Sequence, residues 1–290
     1  MPEIYVKDGG TWKRATDAWV RDAGAWKRVK ETWVKDGGIW KRGFIREIAV
    51  VIGANLANFD LKAWLLVNTD WDGASPIDVT CTISNGAIVY ASSGYAFSTG
   101  SGWPSGSRVT LDLEIGTYIV GKGGNGGNAN GGAGGAGAHA LLLSVPTRLD
   151  NDGSVWGGGG GGGAGGQGVT SYTYSCNCKT DDVTSCNTCT GYNYYNGGGG
   201  GGGQGYPDAS GGSGASAGGA GTFSAAGGGG SGGTNAGSGG AGGGAGLNGA
   251  AGANGNNSAG GAGGVAGYWV DGYGYLSFIK QGDVRGRTVN

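Results

Sequence analysis

The chain has little charge, little proline and a single histidine. Asp, Glu, Lys and Arg make up 13% of its 290 residues, and the formal net charge is −1. So even a balance creates no field that would hold nucleic acid or an anionic membrane over the whole surface. Five prolines, with glycines that keep no Gly-X-Y period, exclude a collagen-like triple helix. No apolar run approaches the roughly 20 residues of a spanning helix, so no membrane insertion is expected. Met1-Pro2-Glu3 opens without the apolar stretch of a signal peptide. His139 has no companion at metal-ligand or triad spacing and reads as structural. Gly116 to Lys122 matches the start of a phosphate loop, but Gly123 stands where Ser or Thr is needed. No Lys or Arg lies between Lys179 and Lys280, which removes an Arg-Gly type of RNA binding. The chain is therefore expected to be no enzyme and to hold no cofactor or metal.

Glycine is what the sequence has in excess: 75 residues, of which 57 fall within 121–267. Ordinary usage is roughly 7%. The expected layout is a repeat arm over 1–43, a small α+β attachment domain over 44–120, a glycine-rich domain over 121–267 and a closing strand or tail over 268–290. The fold class is mostly β and irregular.

The arm is a threefold repeat with a period of 14 residues. Tyr5-Val6-Lys7-Asp8-Gly9-Gly10-Thr11-Trp12-Lys13-Arg14 recurs from Trp19 to Arg28 and from Trp33 to Arg42. Asp-Gly or Gly-Gly between short aromatic and β-branched runs is a hairpin signal. Each copy is predicted to be one hairpin, with aromatics on one face and Lys/Arg on the other. Trp12, Trp19, Trp26, Trp33 and Trp40 are half of the chain's tryptophans. A single hairpin cannot bury such rings. They pack on one another in a tiny sheet, or they dock on a partner; three copies suit a threefold-symmetric one.

In 44–120 the periodicity is ordinary. Asn58 is an N-cap type residue, and Leu61, Trp64 and Leu65 follow at helical spacing. Ile77, Val79, Cys81 and Ile83 alternate with polar residues, as do Val109, Leu111, Leu113 and Ile115, and Asn85-Gly86 marks a tight turn. Cys81 reads as a buried thiol.

The glycine tract comes in blocks of similar length, punctuated by apolar or aromatic residues. Either it is a flexible linker, or it is a bundle of left-handed helices of the polyproline-II type. In the bundle, chains without Cβ atoms approach closely enough to pair backbone N–H and C=O groups with each other. The second reading is preferred here.

From Tyr95 to Gly106, and from Gly116-Thr117-Tyr118-Ile119-Val120-Gly121-Lys122 into Gly123–Gly127, the sequence resembles the glycine-rich tip adhesins of phage tail fibres. The resemblance covers residues from about 58 to the C-terminus and is to the T-even type. It implies a sandwich of polyglycine-II helices with variable loops, in the virion, at the tail-fibre tip. It implies two partners: a trimeric tail fibre or tail-tip protein held through the N-terminal region, and a bacterial outer-membrane protein or surface glycan met by the loops. The repeat arm departs from that pattern. The alternative function is a structural tail-tip or fibre-capping protein with no receptor role.

The longest interruption, 169–196, has the composition of a binding loop: Tyr172, Tyr174, Tyr192, Tyr194 and Tyr195 among Ser, Thr, Asn and Gly, with Lys179, Asp181 and Asp182. Self-packing of these rings is the plainer account. Cys176, Cys178, Cys186 and Cys189 could form two disulfides, ligate zinc or stay free; disulfides are favoured. Trp156, Tyr206 and Phe223 join the expected receptor contacts, from secondary loops at 141–156, 206–210, 222–226 and 247–258.

Overall fold

The computed structural model describes residues 5–8, 10–14, 18–29, 31–36, 38–176 and 187–290. The protein is mostly β, with one short α-helix among the described residues. The three repeats form three antiparallel hairpins: β1 (Tyr5–Asp8) with β2 (Thr11–Arg14), β3 (Trp19–Asp22) with β4 (Ala25–Arg28), and β5 (Glu31–Asp36) with β6 (Ile39–Ile52). The second residue of each turn, a glycine at 10, 24 and 38, has φ of 85°. The faces differ from expectation. Arg21 pairs with Trp26, and directly opposed residues of an antiparallel pair share a face. Trp19, two residues before Arg21, lies on that face as well. Base and aromatic therefore sit together in the middle hairpin. Trp19 and Trp26 are 55% and 66% exposed.

Strand β6 runs on past the arm and opens a three-sided coil. Its strands follow one another around three sheets: β6, β7 (Leu56–Ala57), β8 (Phe59–Asp60), then β9 (Ile77–Ile83), β10 (Ile88–Tyr90), β11 (Tyr95–Ser98). The third turn is β12 (Arg108–Leu113), β13 (Tyr118–Val120) and β14 (His139–Leu142). The fourth begins with β15 (Thr147–Asn151) and β16 (Ser154–Trp156). After the hairpin β17 (Gly168–Cys176) and β18 (Asn187–Tyr195), it is completed by β19 (Tyr268–Asp271). The last turn is β20 (Leu276–Lys280), β21 (Asp283–Arg285) and β22 (Arg287–Val289). Every pairing between turns is parallel.

The alternation seen in the sequence is what fills this coil. In-register residues stack inward, so Val50, Cys81, Leu111 and Leu149 form one ladder. None of the four is more than 2% exposed. Burial pushes the Cys81 thiol up to about 12. Corners need the chain to turn sharply. Asn85 and Gly86 do so at φ of 56° and 69°, the left-handed pair of a type I′ turn; here the turn hands the chain to the next sheet instead of closing a hairpin. Helix α1 (Leu61–Asn68) lies between β8 and β9, at the corner that ends the first turn, and buries Leu61 and Leu65. Its N-cap is Asp60, which accepts from Ala63 N at 2.8 Å, not Asn58. Asn58 instead has φ of 49° and accepts from Ser92 N.

The strand pairing runs across both expected boundaries, 120/121 and 267/268. Two insertions, 121–138 and 157–267, leave the coil at the same corner on successive turns, between β13 and β14 and between β16 and β19. Outside β17 and β18 the longer insertion carries no named strand. Its backbone bonds are nevertheless satisfied. Gly158, Gly161 and Ala164 donate to Ala138, Gly135 and Gly132. Gly159, Gly162 and Gly165 donate to Gln204, Gly201 and Gly198. Gly160, Gly163 and Gly166 donate to Leu247, Ala250 and Ala253. Carbonyls of the same block accept from Gly124 and Gly127, from Gly261 and Gly264, and from Gly240 and Gly243. A donor that meets the same neighbour every third residue has three residues per turn. Block 157–167 thus sits among six neighbouring segments. Block 197–203 is enclosed in the same way, and both are buried. Backbone hydrogen bonding takes the place of a side-chain core there.

Candidate functional site

The pairing inside the lattice continues directly into a projecting hairpin. Gly159 pairs with Gln204, Gly162 with Gly201 and Gly165 with Gly198; Gly168 then pairs with Tyr195, and the register holds unbroken to Cys176 with Asn187. The two most enclosed glycine segments therefore become the two strands β17 and β18. No lattice residue has to bend to present them.

Register sorts the tyrosines. Tyr172, Tyr174 and Tyr195 lie on one face, Tyr192 and Tyr194 on the other. Tyr172, Tyr174, Tyr192 and Tyr194 are 48%, 49%, 58% and 60% exposed. Tyr172 pairs with Gly191, and its ring lies across that glycine: a Cβ there would come within 2.5 Å of Tyr172 Cζ. The Tyr172 and Tyr174 rings are 5.9 Å apart. Cys176 and Cys189 form a disulfide on the same face. Cys178, Cys186, Lys179, Asp181 and Asp182 lie outside the described residues. Among the described residues, no cluster of His, Cys, Asp and Glu is arranged to hold a metal ion.

A collar of asparagines braces the hairpin base, and sequence reasoning missed it. Asn256 accepts from Val169 N at 2.7 Å and donates to Val169 O at 3.0 Å, with Asn235 donating to the same carbonyl at 3.2 Å. Asn130 donates to Asn196 Oδ1 at 3.1 Å. The signal available in the sequence was asparagine concentrated at block ends. These turns, 128–131, 231–236 and 254–258, all lie at the hairpin end of the lattice, as the directions of the bonded segments require.

Other expected contacts lie at the opposite end, against the coil. Trp156 is only 8% exposed. It lies under Arg285 at 4.3 Å, and its Nε1 donates to Asp283 at 2.9 Å. Burial would raise the Asp283 carboxyl, but the bonds from Arg285 and Trp156 prevail and hold it below its ordinary value. Phe223 packs edge-on to Tyr118 at 4.9 Å, and Tyr206 edge-on to Tyr90 at 4.9 Å. Trp156, Phe223 and Tyr206 thus tie lattice to coil, because each follows or faces a strand of one sheet. The segment 141–156, read as a loop, runs through β14, β15 and β16. The expected 247–258 loop begins at the coil end and finishes at the hairpin end. His139 stacks on Tyr268 at 4.8 Å, has the tilted Tyr95 ring at 5.0 Å and accepts from Tyr268 N. Burial lowers its pKa.

In the arm, the side chains of Trp12, Trp33 and Trp40 lie outside what is described; those of Trp19 and Trp26 stand open to solvent.

The scaffold thus carries a tyrosine-bearing hairpin at one end, with no charged residue in its two strands. Residues 47–289 match the family described as phage tail fibre adhesin Gp38. The chain belongs to that family. The adhesin is thereby placed in the virion, at the tail fibre. Its structure is similar to the crystal structure of the gp37-gp38 adhesin tip complex of the bacteriophage S16 long tail fibre, with a TM-score of 0.51 and 25% identity over 85% of this chain and 83% of that one. No curated protein matches the sequence. The family match begins after the repeat arm.

Proposed function

We propose that the adhesin attaches the virion to a host-cell surface receptor through the 168–195 hairpin, without enzymatic chemistry. The observation that carries this reading is the hairpin itself: five tyrosines on a ribbon that continues the two most enclosed segments of the lattice. Aromatic side chains give large contact area at small entropic cost. A ribbon held at its base is pre-organised, which lowers the cost of binding. The scaffold is a polyglycine-II sandwich; the three-residue cadence of its bonds and the close backbone approach at nearly every block glycine support this.

The arm is the fibre-docking element. Trp19 and Trp26 lie exposed beside Arg21 on a hairpin too small to bury them, and three copies suit a trimeric fibre or tail-tip protein. The similar S16 structure is a gp37-gp38 adhesin tip complex of a long tail fibre. The receptor is a bacterial outer-membrane protein or a surface glycan.

The test replaces 170–193 with a two-residue Asn-Gly turn. Adsorption to host cells is expected to vanish while thermal melting of the remainder is unchanged. Adsorption at the wild-type rate would favour a fibre-capping role instead.

A further inference from the structure

Granting that the hairpin meets the receptor, its two faces define what kind of receptor it fits. A nine-residue strand is about 30 Å long and a two-stranded ribbon about 10 Å across, so one face offers about 300 Å². A specific interface takes about 800 Å² from each partner. One face of this ribbon falls well short; both faces with the asparagine collar approach it. The exposed rings are divided in the same sense, Tyr172 and Tyr174 on one face, Tyr192 and Tyr194 on the other, all about half exposed. A residue set meant for a flat surface would gather its anchors on one side.

We infer that the hairpin is a two-faced insert that enters a cleft about 10 Å wide in a protein receptor, whose two walls each meet a tyrosine pair. The chemistry of the walls follows from the strands. Residues 168–176 and 187–195 contain no Asp, Glu, Lys, Arg or His. Walls bearing unpaired charges would be desolvated against them without compensation. The fit is to uncharged walls that offer hydrogen-bonding groups to the tyrosine, serine and threonine hydroxyls and apolar groups to the rings. Phosphate-bearing glycan finds no cation on these two strands. A neutral glycan has no fixed second wall.

The experiment uses the full-length adhesin binding to host cells. Two variants change one face each: Tyr172→Ala with Tyr174→Ala, and Tyr192→Ala with Tyr194→Ala. Both are expected to lose about a thousandfold in affinity, as the loss of two aromatic anchors predicts. Since Tyr172 also covers Gly191, a second pair adds bulk at exposed positions instead. Asn193→Arg obstructs the Tyr172 face and Thr190→Arg the Tyr192 face; each alone should block binding with melting unchanged. If only one face responds in both pairs, the hairpin lies on a surface and the cleft is wrong, though the hairpin remains the contact. If neither face responds, the hairpin is not the receptor site at all. Treating the cells with protease should abolish binding and periodate oxidation of their glycans should not; the reverse would overturn the protein receptor.

Discussion

Gly160→Ala should dismantle the lattice although it adds a single methyl group. A Cβ at 160 would stand 2.0 Å from Gly264 O, 2.5 Å from Gly264 C and 2.9 Å from Gly249 N. These are backbone atoms, with no side chain to swing away. Relief requires segment 261–267 to retreat by more than ~1 Å, since carbon contacts settle near ~3.5 Å. That segment is held by Gly261 donating to Ala164, Gly264 to Gly161 and Gly267 to Gly158, at 2.8, 2.7 and 2.8 Å. Each buried backbone group left unpaired costs about 1–3 kcal/mol. Loss of the three bonds therefore costs about 3–9 kcal/mol, against a total stability of about 5–15 kcal/mol for a domain. The control is Gly228→Ala. A Cβ there meets nothing within 4 Å, and the change should stay within about 0.5 kcal/mol. Ala164, fully buried inside the same block, shows that tolerance is set position by position. The assay is urea unfolding with limited proteolysis of both variants. Equal midpoints for Gly160→Ala and wild type would refute the reasoning, as would equal damage from the two substitutions.

Three further outcomes are expected. Replacing Trp12, Trp26 and Trp40 together by Ala should leave a folded protein that fails to join the particle; normal incorporation into purified virions would remove the docking role of the arm. Cys176→Ser with Cys189→Ser should leave the thermal melting of coil and lattice in place while protease cuts the hairpin faster, because the crosslink closes only that ribbon; an unchanged cleavage rate would show that the strand pairing suffices without it. Cys81 has its pKa raised from 9.0 to about 12 by burial, so the neutral thiol is favoured in the folded state. Its contribution is complete below pH 9 and is lost as pH rises from 9 to 12, about 4 kcal/mol in all. Cys81→Ala should melt lower at pH 7 yet lose less stability over that alkaline range, measured by thermal melting at successive pH values.

The local elements are legible in the residues themselves. Three hairpins follow from the Asp-Gly and Gly-Gly turn signals and the 14-residue repeat, the strands at 77–83 and 108–113 from period-two alternation, and the helix from Leu61, Trp64 and Leu65. The sequence also marked the tyrosine-rich interruption and the glycine blocks. Tertiary structure alone decided how these parts associate. Parallel strands such as β9, β12 and β15 are joined through corners and insertions, with no short turn to announce the pairing, so nothing local tells 139–156 and 268–289 that they complete one coil. Glycine carries no side chain, so a block holds no record of which six segments will surround it; closure of the whole lattice selects them. The same closure sends Trp156, Tyr206 and Phe223 to the coil end and the asparagine turns to the hairpin end. An exposed-looking aromatic between glycine blocks is ambiguous in one dimension, because which end of the lattice it reaches depends on the direction in which its block runs.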